Sequence, residues 1–293
     1  MQISQQYQQH QVIVSFELFP PKTEKGMEVL LSHVAELAQC KPDFITCTYG
    51  AGGSTQGRTL DVLDRVRTLE PTIPVASHLT CVGATRDDLH TYIQQAIAQG
   101  VSAVVALRGD PPQGETEFKP VAGGMAYGNE LVAFVKEHYP TLGILVGGYP
   151  EVHPEAVSAA TDMDFLKQKV DAGADVVLTQ LFYDNDVFFR FRDRCVTAGI
   201  TVPIVPGVLP ITQIAQIKAD RTMFGSQLPD VLVDRMLSYE HDVEGQFAAG
   251  VYQATRQVED LVDNGVPGVH FYVLNRSRAA FHICHALALG QVN

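Results

Sequence analysis

The sequence predicts an α/β protein, a closed (β/α)8 TIM barrel with extra helices before the last strand. Three observations support this prediction. Eight short apolar, β-branched runs recur along the 293 residues, helix-like stretches separate them, and turn-forming or polar residues follow each run. Strands that alternate with helices form right-handed βαβ crossovers and hence a parallel sheet. Eight such units favour a closed barrel over an open sheet.

The eight predicted strands have a nearly continuous apolar character, which is typical of a sheet covered on both faces. In chain order they are 12–19, 44–50, 74–81, 103–110, 144–151, 176–183, 203–210 and 268–275.

Helical periodicity fills the intervals between strands, most clearly at 27–38, 87–98 and 186–198. Glycine often stands where a helix would end before the next strand, at Gly100, Gly173, Gly199 and Gly265, and such positions favour glycine as a helix C-cap. The segment 213–265 is longer than one βα unit and predicts the extra helices. The Gln-rich residues 1–11 predict a flexible arm, and residues 12–293 a single catalytic domain.

The overall charge limits the partners that the protein can have. With 21 basic and 33 acidic residues the formal charge is −12, which argues against nucleic acid or an anionic membrane as the main partner. No apolar run approaches the ~20 residues of a membrane span, and the N-terminus lacks a signal-peptide pattern. Five widely spaced cysteines without a CxxC pair predict a reduced, cytoplasmic protein without disulfides or a zinc site.

Catalytic side chains of such a barrel lie at the carboxyl ends of its strands. Glu17 in VIVSFELFPP shares a strand face with Ile13 and Ser15. Because aromatic residues surround it and no cation precedes Lys22, we expect its pKa to be raised, which suits a general acid. The alternative is a carboxylate paired with a cation from another strand.

Two further strand ends carry polar residues. Arg108 and Asp110 in ALRGDPP could form a salt bridge that lines the barrel. They could instead belong to a rigid turn whose backbone N–H groups meet a phosphate or a ring edge. Gln180 in VVLTQLFY is polar within an apolar strand, so its two possible roles are a hydrogen bond inside the barrel and a contact to the substrate.

A loop and the helix after it supply a third group. Tyr149 and His153 in YPEVHPEA are expected to contact a ligand, and we predict no metal site because no three-ligand spacing is present. Asp162 and Lys169 stand seven residues apart in a helical stretch, so both project from one face. A surface ion pair is the alternative to ligand contact there.

Taken in order, these strand ends resemble the methylenetetrahydrofolate reductase family. The matching motifs run from about residue 12 to residue 287 and are SFELFPPK, TYGAGGST, SHLTC, ALRGDPP, YPEVHPEA, DMDFLKQKVDAGAD, TQLFYD, FRDRC, PGVLP and FYVLNRS. The resemblance implies a barrel that binds FAD without a Rossmann motif, and no GxGxxG follows an early strand here.

The resemblance also implies an activity, its cofactors and its partners. NADH or NADPH would reduce FAD and leave, and the flavin would then reduce 5,10-methylenetetrahydrofolate to 5-methyltetrahydrofolate in a ping-pong cycle. The partners would be the folate, the nicotinamide dinucleotide and further copies of the chain in a homo-oligomer. Neither the choice between NADH and NADPH nor the oligomeric state follows from the sequence.

The same resemblance assigns roles to individual residues. Glu17 matches the acid that assists ring opening, Asp110 a carboxylate near flavin and pterin, and Gln180 a side chain that contacts pterin and nicotinamide. Arg276 and Tyr272 match folate contacts, and Thr48 a residue near the nicotinamide. The positions in FAD-contacting motifs are Tyr49, Ala51, His78, Arg108, Gly109, Tyr127, Tyr149, His153, Ala156, Asp162 and Lys169.

The sequence departs from the family pattern at two places. Asp220 stands where an aromatic residue is expected to stack on folate or nicotinamide, so Phe224 is a possible substitute from a shifted loop. Phe165 stands where a polar FAD contact is common. Two rival hypotheses stay open, a related reductase with another pterin carrier and a non-catalytic barrel that acts as a partner subunit. The presence of Glu17, Asp110 and Gln180 argues against the second.

Overall fold

The computed structural model describes residues 3–8, 11–49, 56–111, 114, 118–217 and 227–290. Its eight parallel strands follow one another around a closed barrel in chain order, and the last strand pairs with the first. This confirms the predicted (β/α)8 fold. The strands are β1 Ile13–Leu18, β2 Phe44–Cys47, β3 Val75–Thr80, β4 Ala103–Leu107, β5 Gly143–Gly148, β6 Val176–Leu181, β7 Ile204–Val208 and β8 Gly268–Tyr272.

A short helix precedes the first strand, and the longer helices follow the strands around the outside of the barrel. In chain order the helices are α1 Ile3–Gln6, α2 Glu24–Ala38, α3 Gln56–Leu69, α4 Arg86–Ala98, α5 Gly128–His138, α6 Ala159–Asp171, α7 Asn185–Thr197, α8 Asp230–Leu237, α9 Val243–Asp263 and α10 Arg278–Ala286. Two of them, α8 and α9, lie between β7 and β8, so the prediction of extra helices before the last strand is confirmed.

The helix ends follow the local sequence signals. Thr85 caps α4 with a reciprocal capping box to Asp88. The predicted C-cap glycines all have a positive φ, between +74° and +116°, the left-handed conformation that glycine adopts without a Cβ clash. These glycines are Gly100, Gly173, Gly199 and Gly265.

Apolar side chains form two layers, one inside the barrel and one between the strands and the helices. The interior layer includes Ile13, Phe44 and Val105, whereas the outer layer contains alternate residues of the same strands, such as Val14 and Phe16. Because strand side chains alternate between faces, Glu17 shares the interior face with Ile13, as the sequence predicts. The interior is therefore apolar toward the strand starts and polar at the carboxyl ends.

Part of the N-terminal segment differs from the flexible arm that its composition predicts. Ile3 of α1 is fully buried and belongs to the interior apolar cluster, with Tyr7 packed against it. The side chain of Gln6 donates a hydrogen bond to the carbonyl of Asp43 at 3.2 Å. The physical reason is that Ile3 packs with apolar residues of several strands inside the barrel, such as Ile13 and Phe44.

All five cysteines are buried and unpaired. Their burial agrees with the apolar sequence contexts in which they stand. Among the residues that the structure describes, no helix combines the length and the apolar character needed to cross a membrane.

Candidate active site

An open pocket of about 850 Å³, including its mouth, lies at the carboxyl ends of the strands. Five of the predicted site residues line it together, contributed by strands β1, β3, β6 and β8 and by the loop after β5. They are Glu17, His78, Tyr149, Gln180 and Tyr272.

Glycines make room for this pocket. Gly147 and Gly148 at the end of β5 belong to its wall. At Gly207 on β7, an added Cβ would lie 2.6 Å from the ring of Tyr272 and 2.2 Å from the carbonyl oxygen of Thr179. The ring of Tyr272 can therefore cross β7 closely because residue 207 has no side chain.

A polar chain runs across the barrel interior beneath the pocket. Glu17 Oε2 lies 3.1 Å from Nε2 of His78 and 3.5 Å from Nε2 of His270. The other ring nitrogen of His270, Nδ1, lies 2.8 Å from the hydroxyl oxygen of Ser15. Glu17 thus has a titratable partner on each side, from β3 and β8, while 17% of its side chain stays exposed toward the pocket.

The pKa of Glu17 is lowered rather than raised, which corrects the sequence-based expectation. Burial raises it, but the charge of His78 and the hydrogen bonds from His270 and His78 outweigh burial and lower the pKa to about 2. The partners that reach Glu17 from other strands are two histidines, His78 on β3 and His270 on β8. Without a ligand, Glu17 is a carboxylate at neutral pH.

Gln180 and Tyr272 are both fixed by backbone contacts. The amide Oε1 of Gln180 accepts a hydrogen bond from the N–H of Leu181 at 2.9 Å. The hydroxyl of Tyr272 donates to the carbonyl of Thr179 at 2.8 Å, and burial raises the pKa of Tyr272. Both side chains are therefore held at the pocket wall before any ligand binds.

Two cations flank the β4 and β5 side of the site. The Lys169 ammonium donates to the carbonyl of Gly147 at 2.6 Å, and burial lowers its pKa to about 8 even though Asp162 opposes that shift. Arg108 pairs with Glu155 at 2.7 Å and lies over the ring of Phe118. Lys169 is thus a half-buried cation bound to a carbonyl, not half of a surface ion pair.

The loop after β5 is held against α6 through Asp162. Its carboxylate accepts the backbone N–H of His153 at 3.1 Å, and the rings of Tyr149 and His153 stack edge to face at 4.5 Å. Burial raises the pKa of Tyr149 to about 12 and lowers that of His153. Asp162 and Lys169 therefore project toward the same strand end, as their spacing predicts.

Other predicted residues lie near the strand ends but outside the pocket lining. Thr48 continues β2, its N–H bonding the carbonyl of Leu18 at 2.8 Å. Tyr49 is buried edge-on against Tyr92. Gly109 has a φ of +89°. Asp110 is exposed next to it on the loop after β4.

Several predicted residues face solvent. Tyr127 is 58% exposed at the start of α5, and Phe165 is 49% exposed on α6. Arg276 is exposed on the loop after β8, and Ala156 is half-buried. The remaining predictions, for Ala51, Asp220 and Phe224, fall outside the described residues.

The sequence analysis missed three residues at the site. His270 contacts Glu17 from inside β8, where a histidine in the apolar strand GVHFY was the available signal. Phe19 and Leu274 line the pocket as exposed apolar residues. Asn275, which the sequence places with Arg276 among the polar residues at the end of the last strand, joins the loops after β1 and β8. The loops after β1 and β8 lie side by side because the barrel closes, and no local sequence pattern indicates that closure.

A largely apolar pocket at the carboxyl ends of a (β/α)8 barrel, with ionisable side chains from several strands, is the arrangement of a barrel enzyme. The methylenetetrahydrofolate reductase family model matches residues 2–288. The chain belongs to this family. Its membership supports the function of an oxidoreductase that acts on methylenetetrahydrofolate.

Similar proteins carry the corresponding names. The 5,10-methylenetetrahydrofolate reductase of Salmonella typhimurium is 40% identical over 96% of this chain and 92% of its own length. The methylenetetrahydrofolate reductase (NADH) 1 of Arabidopsis thaliana is 36% identical over 96% of this chain and 49% of its own.

A solved structure shares the fold. A Clostridium thermocellum protein, described as binding two copies of 5-methyl-5,6,7,8-tetrahydrofolic acid, aligns with a TM-score of 0.64. The alignment covers 97% of this chain and 98% of that protein at 14% identity, so the likeness concerns the fold.

Proposed function

We propose that this protein reduces 5,10-methylenetetrahydrofolate to 5-methyltetrahydrofolate with electrons from NADH or NADPH, carried by FAD in ping-pong order. The observation that carries the proposal is the pocket over Glu17, which brings Gln180, His78, Tyr149 and Tyr272 together at the strand ends. The plant relative named for NADH supports a nicotinamide co-substrate.

The residues present fit a flavin dinucleotide. Lys169 is a half-buried cation with a carbonyl partner, so an anionic group beside it would favour its charged form. The hydroxyls of Thr46 and Thr80 are buried without a hydrogen-bond partner among the described residues and could meet ligand atoms. Arg108, Lys169, Tyr149 and the loop around His153 would hold FAD, which supplies reversible hydride acceptance and donation when bound.

The pair of Glu17 and His78 would supply the proton that opens the five-membered ring of the substrate. Because the pKa of Glu17 is about 2 in the ligand-free protein, Glu17 is a carboxylate there and must gain a proton before it acts as the acid. Substrate that covers the pocket removes water from Glu17 and so favours its neutral form. Glu17 would then pass the proton on and be resupplied from His78, with His270 orienting it through Oε2.

The other predicted residues would bind and orient the substrates. Asp110 supplies negative charge at the rim, which stabilises a cationic ring-opened substrate. Gln180 and Tyr272, held by backbone contacts, would fix the pterin, and Arg276 would meet the folate carboxylates. Thr48 would lie near the nicotinamide. Tyr49, Gly109, Tyr127, Ala156 and Asp162 stay predicted FAD contacts.

Two broader expectations accompany this function. Five unpaired buried cysteines fit a reducing compartment, and we propose the cytoplasm. The predicted homo-oligomer agrees with exposed apolar residues on α8 and α9. These include Val231, Val243 and Tyr252, which are 69%, 62% and 57% exposed.

The test is anaerobic flavin spectroscopy on protein reconstituted with FAD. Reduced nicotinamide should bleach the visible flavin absorbance, and 5,10-methylenetetrahydrofolate should restore it with formation of 5-methyltetrahydrofolate. Separate runs with NADH and NADPH give the nicotinamide preference. Failure to take up FAD overturns the proposal, and reoxidation by a methanopterin but not by the folate favours the rival reductase. Bound FAD without turnover favours the non-catalytic subunit.

A further inference from the structure

The barrel closes at a seam between β1 and β8, which lie at opposite ends of the chain. Their backbones pair from Ile13 with Gly268 to Glu17 with Tyr272, and the register ends there. Beyond that point the loop after β1 and the loop after β8 lie together without paired backbones. The seam at the pocket mouth must therefore be held by side chains.

Asn275 holds this seam with both ends of its amide. Its Oδ1 accepts the backbone N–H of Phe19 at 2.9 Å, and its Nδ2 donates to the carbonyl of the same residue at 2.8 Å. The two bonds fix the backbone of one residue, two positions after Glu17. An amide can do this because it carries a donor and an acceptor side by side.

The loop that carries Asn275 is strained and tethered. Leu274 and Asn275 have φ values of +48° and +54°, a conformation that costs energy for residues other than glycine. Ser277, fully buried, contacts Nδ1 of His33 at 2.8 Å and the carboxylate of Glu36 on α2. Such strain persists where surrounding contacts over-determine the backbone, and it is common at functional sites.

The residues on either side of the clamp face the pocket. Phe19 and Leu274 both line it together with Glu17, although they are 41% and 42% exposed. Two large apolar side chains left open at a pocket mouth gain stability when a flat ring system covers them. The spacing of Phe19 and Leu274 depends on Asn275. Its side chain bonds the backbone of Phe19, and Leu274 is its neighbour in the chain.

We propose that Asn275 is a positioning residue, which sets Phe19 and Leu274 as an apolar wall that holds the pterin ring of the substrate against Glu17. This rests on the proposed function. Loss of the clamp frees Phe19 and misplaces the substrate relative to Glu17. Small displacements of this kind weaken productive binding and lower reaction rates steeply.

The test compares Asn275→Gly with Asn185→Ala in FAD-loaded protein. Glycine adopts the left-handed conformation at position 275 without strain, so this substitution removes the Asn275 side chain without forcing the backbone to change. The control removes an amide tether of the same kind, since Asn185 Nδ2 donates to the carbonyl of Gln257 at 2.9 Å away from the pocket lining. For each variant, KM and kcat for methylenetetrahydrofolate, flavin reduction by the nicotinamide, Tm and amide exchange at Phe19 are measured.

Asn275→Gly should raise KM for methylenetetrahydrofolate about tenfold and leave flavin reduction within about twofold. Exchange at the Phe19 amide should accelerate, whereas Asn185→Ala should lower Tm by a similar amount without changing KM. An unchanged KM, an equal loss in both half-reactions, or an equal KM rise in the control overturns the proposal.

Failure of the proposed function gives a different result, because the unmodified protein would then not turn over the folate. In that case the dissociation constant for 5-methyltetrahydrofolate replaces KM. Equal affinity of the unmodified protein and Asn275→Gly for this probe, or absence of binding to either, overturns the positioning role. Weaker binding to the variant supports it.

Discussion

Glu17 Oε2 lies 3.1 Å from His78 Nε2 inside the barrel, and this contact helps to lower the pKa of Glu17 to about 2. Glu17 is therefore a carboxylate in the ligand-free protein, and the acid proposed for the folate step requires that Glu17 gains a proton when the substrate covers the pocket.

Glu17→Gln should separate the two half-reactions. Flavin reduction by the nicotinamide needs no ring opening, so its rate should stay within about threefold of the unmodified protein. Flavin reoxidation by methylenetetrahydrofolate should fall about 10²–10⁴-fold, the usual cost of removing a general acid. Stopped-flow absorbance measures both rates. An equal fall in the two rates would show that Glu17 acts in FAD binding rather than as the acid.

The same residue should make stability depend on pH. The folded-state pKa of Glu17, about 2, lies below its ordinary value of 4.5, so its stabilising contribution is complete above pH 4.5. It is lost as pH falls from about 4.5 toward 2, with a slope of at most about 1.4 kcal/mol per pH unit.

Urea unfolding of ligand-free protein and Glu17→Gln at several pH values measures this contribution. The difference in the free energy of unfolding should stay constant above pH 5 and shrink below it. Because the pair is mostly buried, 0.05 and 0.5 M salt should give similar curves. A difference that does not change down to pH 3 would contradict the lowered pKa.

The sequence predicts the barrel well because its signals are local. Each strand is an apolar run, and each helix end after α4, α6, α7 and α9 carries a glycine with positive φ. Strand alternation also places Glu17 in the interior. The sign of its pKa shift could not be predicted, because His78 and His270 reach it only through the closure of the barrel.

The clamp at Asn275 and the packing of α1 were unpredictable for the same reason. Asn275 and Phe19 are 256 residues apart, and their contact exists because the first and last strands pair. Ile3 packs with residues of several strands that meet only inside the closed barrel. Contacts of this kind follow from the tertiary arrangement and leave little trace in composition.

Lys169→Met should weaken FAD binding, and its effect should depend on pH. Burial lowers the pKa of Lys169 to about 8, so the free protein loses this charge as pH rises through 8. An anionic ligand favours the charged form, and the affinity of the unmodified protein for FAD should fall by up to about tenfold per pH unit above 8. The variant should bind weakly at every pH and lose that dependence.

Quenching of flavin fluorescence measures these affinities. Lys167→Met is the matched control, since Lys167 lies on the same helix and pairs with Asp171 at the surface. Its affinity for FAD and its pH profile should resemble those of the unmodified protein. Equal losses in both variants would indicate a general effect of helix charge and would remove Lys169 from the FAD site.

Ile3→Ala should destabilise the protein although it lies in the first turn of the described chain. The Ile3 side chain is fully buried in the interior apolar cluster, so its truncation leaves a cavity at the strand starts, away from the pocket. Loss of buried methyl groups of this kind typically costs about 2–5 kcal/mol. Val196→Ala on α7 is the exposed control, at 66% exposure, and should change the free energy of unfolding by less than about 0.5 kcal/mol. Urea unfolding with flavin reduction rates measured in parallel should show lower stability and unchanged chemistry. A change for Ile3→Ala as small as that of the control would mean that the N-terminal segment contributes little to barrel stability.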